Sequence, residues 1–312
     1  MNKLGSIMQP ATPIKAAVTT ASQEVLRLRD YWLLCSELVK ARLTSMVLLT
    51  TLVGYFVAER TLSWSGLLGV AVGMGLLAAG GAVLNQWMER EADALMPRTQ
   101  HRPLPRGRVQ PGTALVCGLL MSILGLCVLA LSTSALACVL GALALIAYLG
   151  VYTPLKRVTW LNTWIGAVPG ALPPVVGWAA ATGEVSIQAW SLFGIVACWQ
   201  MPHFFGIAWL YRDEYTRAGF RMLPQVDPDG RRTGQQAVLW TLLLLPLSLV
   251  PWAAGLAGPW YGVSSVLAGV AYLAAAVHFA RRRTNLAARR LFLASILYLP
   301  LLLVSLALDK MR

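Results

Sequence analysis

Residues 66–93 read GLLGVAVGMGLLAAGGAVLNQWMEREAD, an apolar run of helical length that ends in polar and acidic residues. About 20 apolar residues are enough to cross a bilayer as an α-helix. The run from 66 to 86 therefore predicts a membrane-spanning helix. The polar residues that follow are expected at the mouth of that helix.

Similar apolar runs recur along the whole chain, which has 312 residues, of which 57% are apolar and only 12% are charged. A soluble chain typically carries about 25% charged residues. Inside a bilayer only helices and closed barrels satisfy the backbone, and these runs are too long for barrel strands. The sequence therefore predicts an all-α, polytopic bundle of nine transmembrane helices, at roughly 38–58, 66–86, 112–131, 135–152, 163–182, 188–209, 236–256, 259–280 and 289–308.

The basic residues are concentrated in alternate connections. With the N-terminus inside, the inner segments hold 23 of the 26 Lys and Arg residues, and the net charge is +13. This asymmetry is the positive-inside pattern, which predicts a cytoplasmic N-terminus. The charge then reports topology and contact with membrane lipid, and no nucleic-acid partner is expected.

The chain is expected to form one membrane domain, 37–312, preceded by a mobile cytoplasmic tail, 1–36, with a short amphipathic lead-in to the first span. The tail lacks the apolar segment of a signal peptide, and its shortness favours a bacterial inner membrane. The five cysteines form no CxxC pair, so neither a disulfide nor a zinc site is expected.

The first polar constellation is Asn85, Glu89 and Asp93. A spacing of four residues keeps all three side chains on one helical face. Mg²⁺ prefers hard oxygen ligands and usually retains waters and substrate phosphates, so the pattern indicates a metal site. Glu91 lies roughly 120° from Asn85 and should not share it. The alternative is a solvated helix end.

Basic residues follow this constellation. Arg98 and Arg102 are candidate phosphate ligands, because arginine binds phosphate bidentately. Arg106 and Arg108 are interpreted as topological charges. Lys156, in the short connection 153–162, is either a phosphate contact or another topological charge.

A second acidic cluster follows the sixth span. Asp213 is a candidate ligand for a second cation, and Tyr215 could bind a phosphate oxygen. Asp213 and Glu214 are adjacent, so both cannot point into one cavity from a regular helix. The alternative is an ordinary helix end with an Asp213–Arg217 pair.

Two features lie within predicted spans. Pro169, Pro173 and Pro174 predict a broken fifth helix that lines a cavity, since such breaks are tolerated where neighbours or a cavity satisfy the backbone. His203 is an ionisable group near the cytoplasmic end of the sixth span. A lone histidine there is more often a packed residue than a ligand.

The two acidic clusters resemble the paired motifs of UbiA-like intramembrane prenyltransferases. The more specific strings resemble one branch of that family, the protoheme IX farnesyltransferases or heme O synthases, from about residue 36 to the end. These strings are 85–99 (NQWMEREADALMPRT), 102–104 (RPL), 152–157 (YTPLKR), 170–174 (GALPP), 200–204 (QMPHF) and 213–224 (DEYTRAGFRMLP).

The resemblance implies transfer of a farnesyl group from farnesyl diphosphate to a vinyl group of heme B, with addition of water, giving heme O and pyrophosphate. It implies Mg²⁺ as cofactor, a site opening to the cytoplasmic side, and a heme A synthase or terminal oxidase downstream. The implied catalytic and metal-binding residues are Asn85, Glu89, Asp93 and Asp213. The implied diphosphate ligands are Arg98, Arg102, Lys156 and Tyr215, and His203 is the implied heme contact.

The sequence departs from the family pattern in two places. Related enzymes often carry Asp where Glu89 stands, and the acids of their second motif are three or four residues apart, so the choice of Asp213 over Glu214 stays open. Two other functions are considered. One is a quinone or other aromatic prenyltransferase, and the other is a non-catalytic heme carrier.

Overall fold

The computed structural model describes residues 29–58 and 63–311. Within these ranges the chain is almost entirely helical, and nine of its helices are long and apolar enough to cross a membrane. The predicted all-α bundle with nine spans is confirmed for the described residues. We number these helices α1 (Ala41–Ala58), α2 (Trp64–Ala94), α3 (Pro111–Ser132), α4 (Ala135–Leu155), α5 (Asn162–Thr182), α6 (Ile187–Leu210), α7 (Arg231–Ala253), α8 (Pro259–Arg282) and α9 (Asn285–Leu308).

Helix α2 is longer than its apolar run. It begins after Ser63, whose side chain accepts a hydrogen bond from Gly66 N, and it continues beyond the predicted end at residue 86 to Ala94. The hydropathy pattern marks the apolar stretch, whereas the helix continues because its backbone hydrogen bonds do not depend on lipid. The motif that starts at Asn85 therefore lies on rigid helix rather than in a loop.

A further helix at 29–38 precedes α1, and a turn at 39–40 connects the two. The expectation of a mobile tail falls largely on residues 1–28, which lie outside the described residues. Two short helices, Arg212–Arg217 and Leu223–Val226, lie in the connection between α6 and α7.

Helix α5 is broken at Leu172, between the segments Asn162–Ala171 and Pro173–Thr182. Proline lacks the N–H that would continue the hydrogen-bond ladder, so the break falls where the sequence predicts it. Pro174 also lines a small apolar cavity between α1, α5, α6, α8 and α9, as predicted for this helix.

Helix α1 packs very closely against α5. A Cβ built on Gly177 would lie 1.9 Å from the carbonyl oxygen of Thr51, and one built on Gly54 would lie 2.1 Å from that of Pro174. Small residues allow such close approach between membrane helices. Two apolar clusters meet at α1. One joins α1 to α2–α5 and the other joins it to α5–α9.

The connections 95–110 and 211–230 lie at one end of the bundle, which we call the loop end. An apolar cluster joins them, with members from the end of α2, from α6 and from both connections: Ala92, Met96, Ala208, Ala218, Phe220 and Met222. This packing brings the residues that follow the two acidic motifs to one place.

Candidate active site

A polar cavity of about 110 Å³ lies at the loop end. Its charged lining residues come from four segments of the chain: Lys40, Glu89, Asp93, Arg98, Arg102 and Lys156. The remaining lining residues are Met96, Tyr152, Tyr215, Phe220 and Met222. Four basic side chains face two carboxylates here, so positive charge is in excess. Such a cavity is suited to a polyanion.

The three oxygen-bearing residues of α2 are buried on one face, as their spacing predicts. Asn85 and Asp93 are each 1% exposed and Glu89 is 6% exposed. The Asn85 amide donates from Nδ2 to Thr153 Oγ1 at 3.0 Å, which turns its Oδ1 towards Lys40. The face is therefore preorganised by contacts to other helices.

Each of the two carboxylates, Glu89 and Asp93, forms an ion pair with a basic side chain. Lys156 Nζ donates to Glu89 Oε1 at 2.7 Å, and Arg102 Nη1 donates to Asp93 Oδ2 at 2.7 Å. Asp93 Oδ1 is buried and has no hydrogen-bond partner among the residues that the structure describes. A buried carboxylate oxygen without a partner is costly, so this atom is the strongest structural sign of a cation that binds here.

Lys40 is a pocket residue that the sequence analysis did not identify. Its Nζ donates to Asn85 Oδ1 at 2.6 Å. Burial, and then the nearby charge of Arg102, lower the pKa of Lys40 to about 7. A lysine directly before an apolar span is usually interpreted as a topological charge, so no local pattern singled it out.

The pKa of Lys156 is shifted in the opposite direction to that of Lys40. Burial disfavours its charge, but Tyr152 and Glu89 outweigh that effect and raise the pKa of Lys156 above the usual lysine range. Its ammonium lies 4.6 Å from the centre of the Tyr152 ring. The Arg221 amide donates to the Lys156 carbonyl at 2.6 Å, which ties the connection after α4 to the one after α6.

Arg98 links the two motif-bearing connections. Its backbone N–H donates to Glu214 Oε2 at 3.3 Å, and its guanidinium lies 4.9 Å from the Tyr211 ring centre. Arg98 Nη2 also donates to the Tyr215 hydroxyl at 3.5 Å. Burial raises the pKa of Tyr215, which Arg98 partly opposes, so the hydroxyl stays a neutral donor.

Two predicted site residues lie elsewhere. Asp213 is exposed and is not among the residues that line the cavity, whereas its neighbour Glu214 reaches Arg98. His203 also lies outside the cavity lining. Its Nδ1 forms a hydrogen bond with Ser295 Oγ at 2.7 Å, and its ring stacks on Trp199.

The donor set fits magnesium. The face offers two carboxylates and one amide oxygen, and no cluster of three His, Cys, Asp or Glu side chains occurs among the residues that the structure describes. Mg²⁺ is commonly held by one or two carboxylates together with waters and substrate phosphates. A small protein donor set beside four cations therefore matches a metal that arrives with a phosphorylated ligand.

The UbiA prenyltransferase family matches residues 47–299. Protoheme IX farnesyltransferase from Solibacter usitatus is 44% identical over 293 residues, which is 91% of this chain and 99% of that protein. The enzyme of the same name from Opitutus terrae is 42% identical over 276 residues, covering 88% of this chain and 94% of the relative.

Solved structures have the same fold. A digeranylgeranylglyceryl phosphate synthase superposes with a TM-score of 0.75 at 16% identity, over 90% of this chain and 98% of that one. A UbiA homologue from Archaeoglobus fulgidus bound to DMAPP and Mg²⁺ gives 0.66 at 16% identity, over 87% and 98%. At this identity the structures establish the fold, while the family match and the close relatives establish the membership. The chain belongs to the UbiA prenyltransferase family.

Proposed function

We propose that this protein transfers a farnesyl group from farnesyl diphosphate to a vinyl group of heme B, with addition of water, and releases heme O and pyrophosphate. The observation that carries the proposal is the polar cavity, in which an excess of cations surrounds a carboxylate with one unpartnered oxygen. The names of the close relatives support heme B as acceptor.

We propose that Asn85, Glu89 and Asp93 hold Mg²⁺ together with the diphosphate. Bound there, the metal would supply positive charge that neutralises the leaving diphosphate. Two of these groups are now bonded to Lys156 and Arg102. Both cations can turn to phosphate oxygens when a metal takes their place on the carboxylates.

The side chains of the cavity then stabilise departure of the diphosphate. Arg98, Arg102, Lys156 and Tyr215 all line the cavity, and each carries an N–H or O–H group that can donate to a phosphate oxygen. Preorganised donors aimed at developing charge are an effective form of catalysis in a site with little water. The C–O bond of the farnesyl diphosphate breaks, and its electron pair leaves with the diphosphate.

The acceptor supplies the new bond. The π electrons of the heme vinyl group bond to C1 of the farnesyl group, water oxygen bonds to the remaining vinyl carbon, and this water loses one proton. The farnesyl chain would extend along α1 towards the apolar cavity at Val53 and Gly54. Val53 lies thirteen positions after Lys40, about 20 Å along α1, which suits an extended isoprenoid chain joined to its diphosphate.

His203 and Asp213 do not line the cavity, and we propose a separate role for each. We propose His203 as a contact for heme B, since its ring is only partly buried and Nδ1 is fixed by Ser295. We propose Asp213 as a ligand to a second cation, which needs its exposed side chain to turn towards the cavity that Tyr215 lines. An unchanged Mg²⁺ requirement in Asp213→Asn would exclude that role.

The distribution of basic residues supports a proposal for the membrane orientation. The loop end carries the motif-bearing connections and most of the basic residues, so we propose that it faces the cytoplasm of a bacterial inner membrane. Labelling of single cysteines introduced at Arg106 and at Gly183 from either side of the membrane tests the orientation. Labelling of Gly183→Cys from the cytoplasmic side would contradict it.

The function is tested by incubating purified protein with heme B, farnesyl diphosphate and Mg²⁺ and measuring the mass of the extracted heme. We expect a gain of one farnesyl group plus one water, lost on addition of EDTA. Pyrophosphate release only with a quinone precursor would move the acceptor to the quinone class. Heme binding without either product would favour the carrier.

A further inference from the structure

The corner before α1 is held in an unusual conformation. Lys40 has φ of +49°, and it is one of two non-glycine residues with positive φ in the described part of the chain. The left-handed region costs an ordinary L-residue roughly 1–2 kcal/mol. Such conformations persist where surrounding contacts over-determine them, and they cluster at functional sites.

Contacts from α2 hold this corner. Gln86 Nε2 donates to the Glu37 carbonyl at 2.9 Å and to the Leu38 carbonyl at 2.6 Å. Gln86 is fully buried, and it directly follows Asn85 on the helix that carries the metal motif. The same helical turn therefore fixes the backbone before Lys40 and accepts the Lys40 ammonium.

The Lys40 ammonium differs from the other buried cations of the cavity. Lys156 and Arg102 each form an ion pair with a carboxylate at 2.7 Å. Lys40 has no carboxylate oxygen within 4.0 Å among the described residues, and its partner is a neutral amide. Its amine group is therefore in ion-pair contact with no acid of the described site, and a bound anion would supply that contact.

We propose that Lys40 is a diphosphate-binding residue of this site, with its ammonium donating directly to a phosphate oxygen of the prenyl diphosphate. This inference rests on the proposed function for its ligand class. A cation held over a metal-ligand amide by a strained corner is well placed for an anion that binds beside the metal. An anion supplies the charge compensation that Asn85 cannot.

The test is the affinity for inorganic pyrophosphate in the presence of Mg²⁺, measured by titration calorimetry on the purified full-length protein. Lys40→Met and Lys40→Gln remove the charge, and Lys40→Arg retains it. We expect the neutral variants to bind pyrophosphate about 10- to 100-fold more weakly, the effect of one charge-assisted hydrogen bond. Lys40→Arg should stay within about fivefold of the parent.

Arg42→Met is the matched control, because Arg42 lies two residues away on α1, is exposed and carries the same charge. It should leave the affinity unchanged. Equal weakening in Arg42→Met and Lys40→Met would reduce the effect to overall charge and overturn the proposal. Unchanged pyrophosphate affinity in a folded Lys40→Met or Lys40→Gln protein would also overturn it, as would an affinity that rises because the metal binds better.

Failure of the Lys40 proposal can be distinguished from failure of the proposed function. If the parent protein binds pyrophosphate but forms no heme O, the acceptor assignment fails and the Lys40 comparison can still be made. If the parent forms heme O and the neutral variants bind pyrophosphate normally, only the inference about Lys40 fails. A higher KM for farnesyl diphosphate with unchanged heme B affinity is the expected kinetic counterpart.

Discussion

Replacement of Asp93 by asparagine tests the metal site with little change in shape. Asp93 is 1% exposed, and its Oδ2 accepts from Arg102 at 2.7 Å, while Oδ1 has no partner within the described part of the chain. Breaking a buried ion pair costs about 3–5 kcal/mol. The Arg102 side chain is 24% exposed, so water can solvate the freed guanidinium, and we expect a stability loss of about 1–3 kcal/mol.

We also expect a loss of catalytic rate, which is separate from the loss of stability. Removal of one electrostatic contact to the developing charge typically costs about 10²–10³-fold in rate. We expect Asp93→Asn to lower kcat/KM for heme O formation by that factor at saturating Mg²⁺. Pyrophosphate affinity without Mg²⁺ should be unchanged or higher, because the excess of positive charge in the cavity increases.

The rate of heme O formation, measured across a Mg²⁺ titration, tests whether Asp93 binds the metal. Thermal unfolding of both proteins checks that the variant is folded. Glu91→Gln is the matched control, because Glu91 lies on the same helix, its side chain is 77% exposed and it pairs with Arg90. A folded Asp93→Asn protein whose kcat/KM stays within about threefold of the parent would refute the metal assignment.

Two further variants address positioning and the acceptor. Gln86→Leu removes both hydrogen bonds to the corner before Lys40, at about 1–3 kcal/mol for the loss at the Leu38 carbonyl. The Glu37 carbonyl still accepts from the Lys40 amide at 3.2 Å. We expect weaker pyrophosphate binding with unchanged heme B affinity, and a stability loss with unchanged pyrophosphate affinity would contradict the positioning role. His203→Ala should weaken heme B binding, measured by absorbance titration, about tenfold. The pyrophosphate affinity, measured by calorimetry, should be unchanged. Equal heme affinity in parent and variant would exclude the contact.

The number of helices could be predicted from the sequence because apolar length is a local property. Their ends were harder to place. Helix α7 begins at Arg231 and α9 at Asn285, each before its predicted start at 236 and 289. In α9 the Thr284 side chain caps the helix by accepting from Ala287 N. Capping and continued backbone bonding extend a helix into polar sequence, which hydropathy does not detect.

The site was partly predictable for the same reason. Asn85, Glu89 and Asp93 share one helix, so their common face follows from periodicity alone. Asp213 could not be distinguished from Glu214 by spacing. The structure orients Glu214 to the Arg98 amide, a contact across more than one hundred residues that no local pattern encodes.

Lys40 illustrates the limit more clearly. Its position depends on a left-handed residue and on the Gln86 side chain, neither of which is written in residues next to it. Its type and its place before an apolar span are those of a topological charge. Only the tertiary contact with Asn85 reveals a second role.

The paired state of the carboxylates has a consequence for ligand binding. A metal alone that binds Glu89 and the free Asp93 Oδ1 takes up the negative charge that Lys156 and Arg102 now share, and this would weaken both ion pairs. A diphosphate alone must compete with the same carboxylates for the same cations. When both ligands bind, the carboxylates pair with the metal and the basic side chains pair with the diphosphate. No charged group is then left without a partner.

Mg²⁺ and pyrophosphate should therefore bind with positive coupling. Typical coupling free energies of about 1–3 kcal/mol correspond to roughly 5- to 150-fold, and we expect saturating Mg²⁺ to tighten pyrophosphate binding within that range. Because coupling is reciprocal, pyrophosphate must strengthen Mg²⁺ binding by the same factor. Titration calorimetry in both orders measures each factor, with the Mg²⁺–pyrophosphate complex in solution accounted for. In Asp93→Asn, where one exchange is removed, the coupling should fall. Independent binding of the two ligands to the parent protein would show that the ion pairs do not open on binding, and diphosphate recognition would then have to proceed with the carboxylates still occupied.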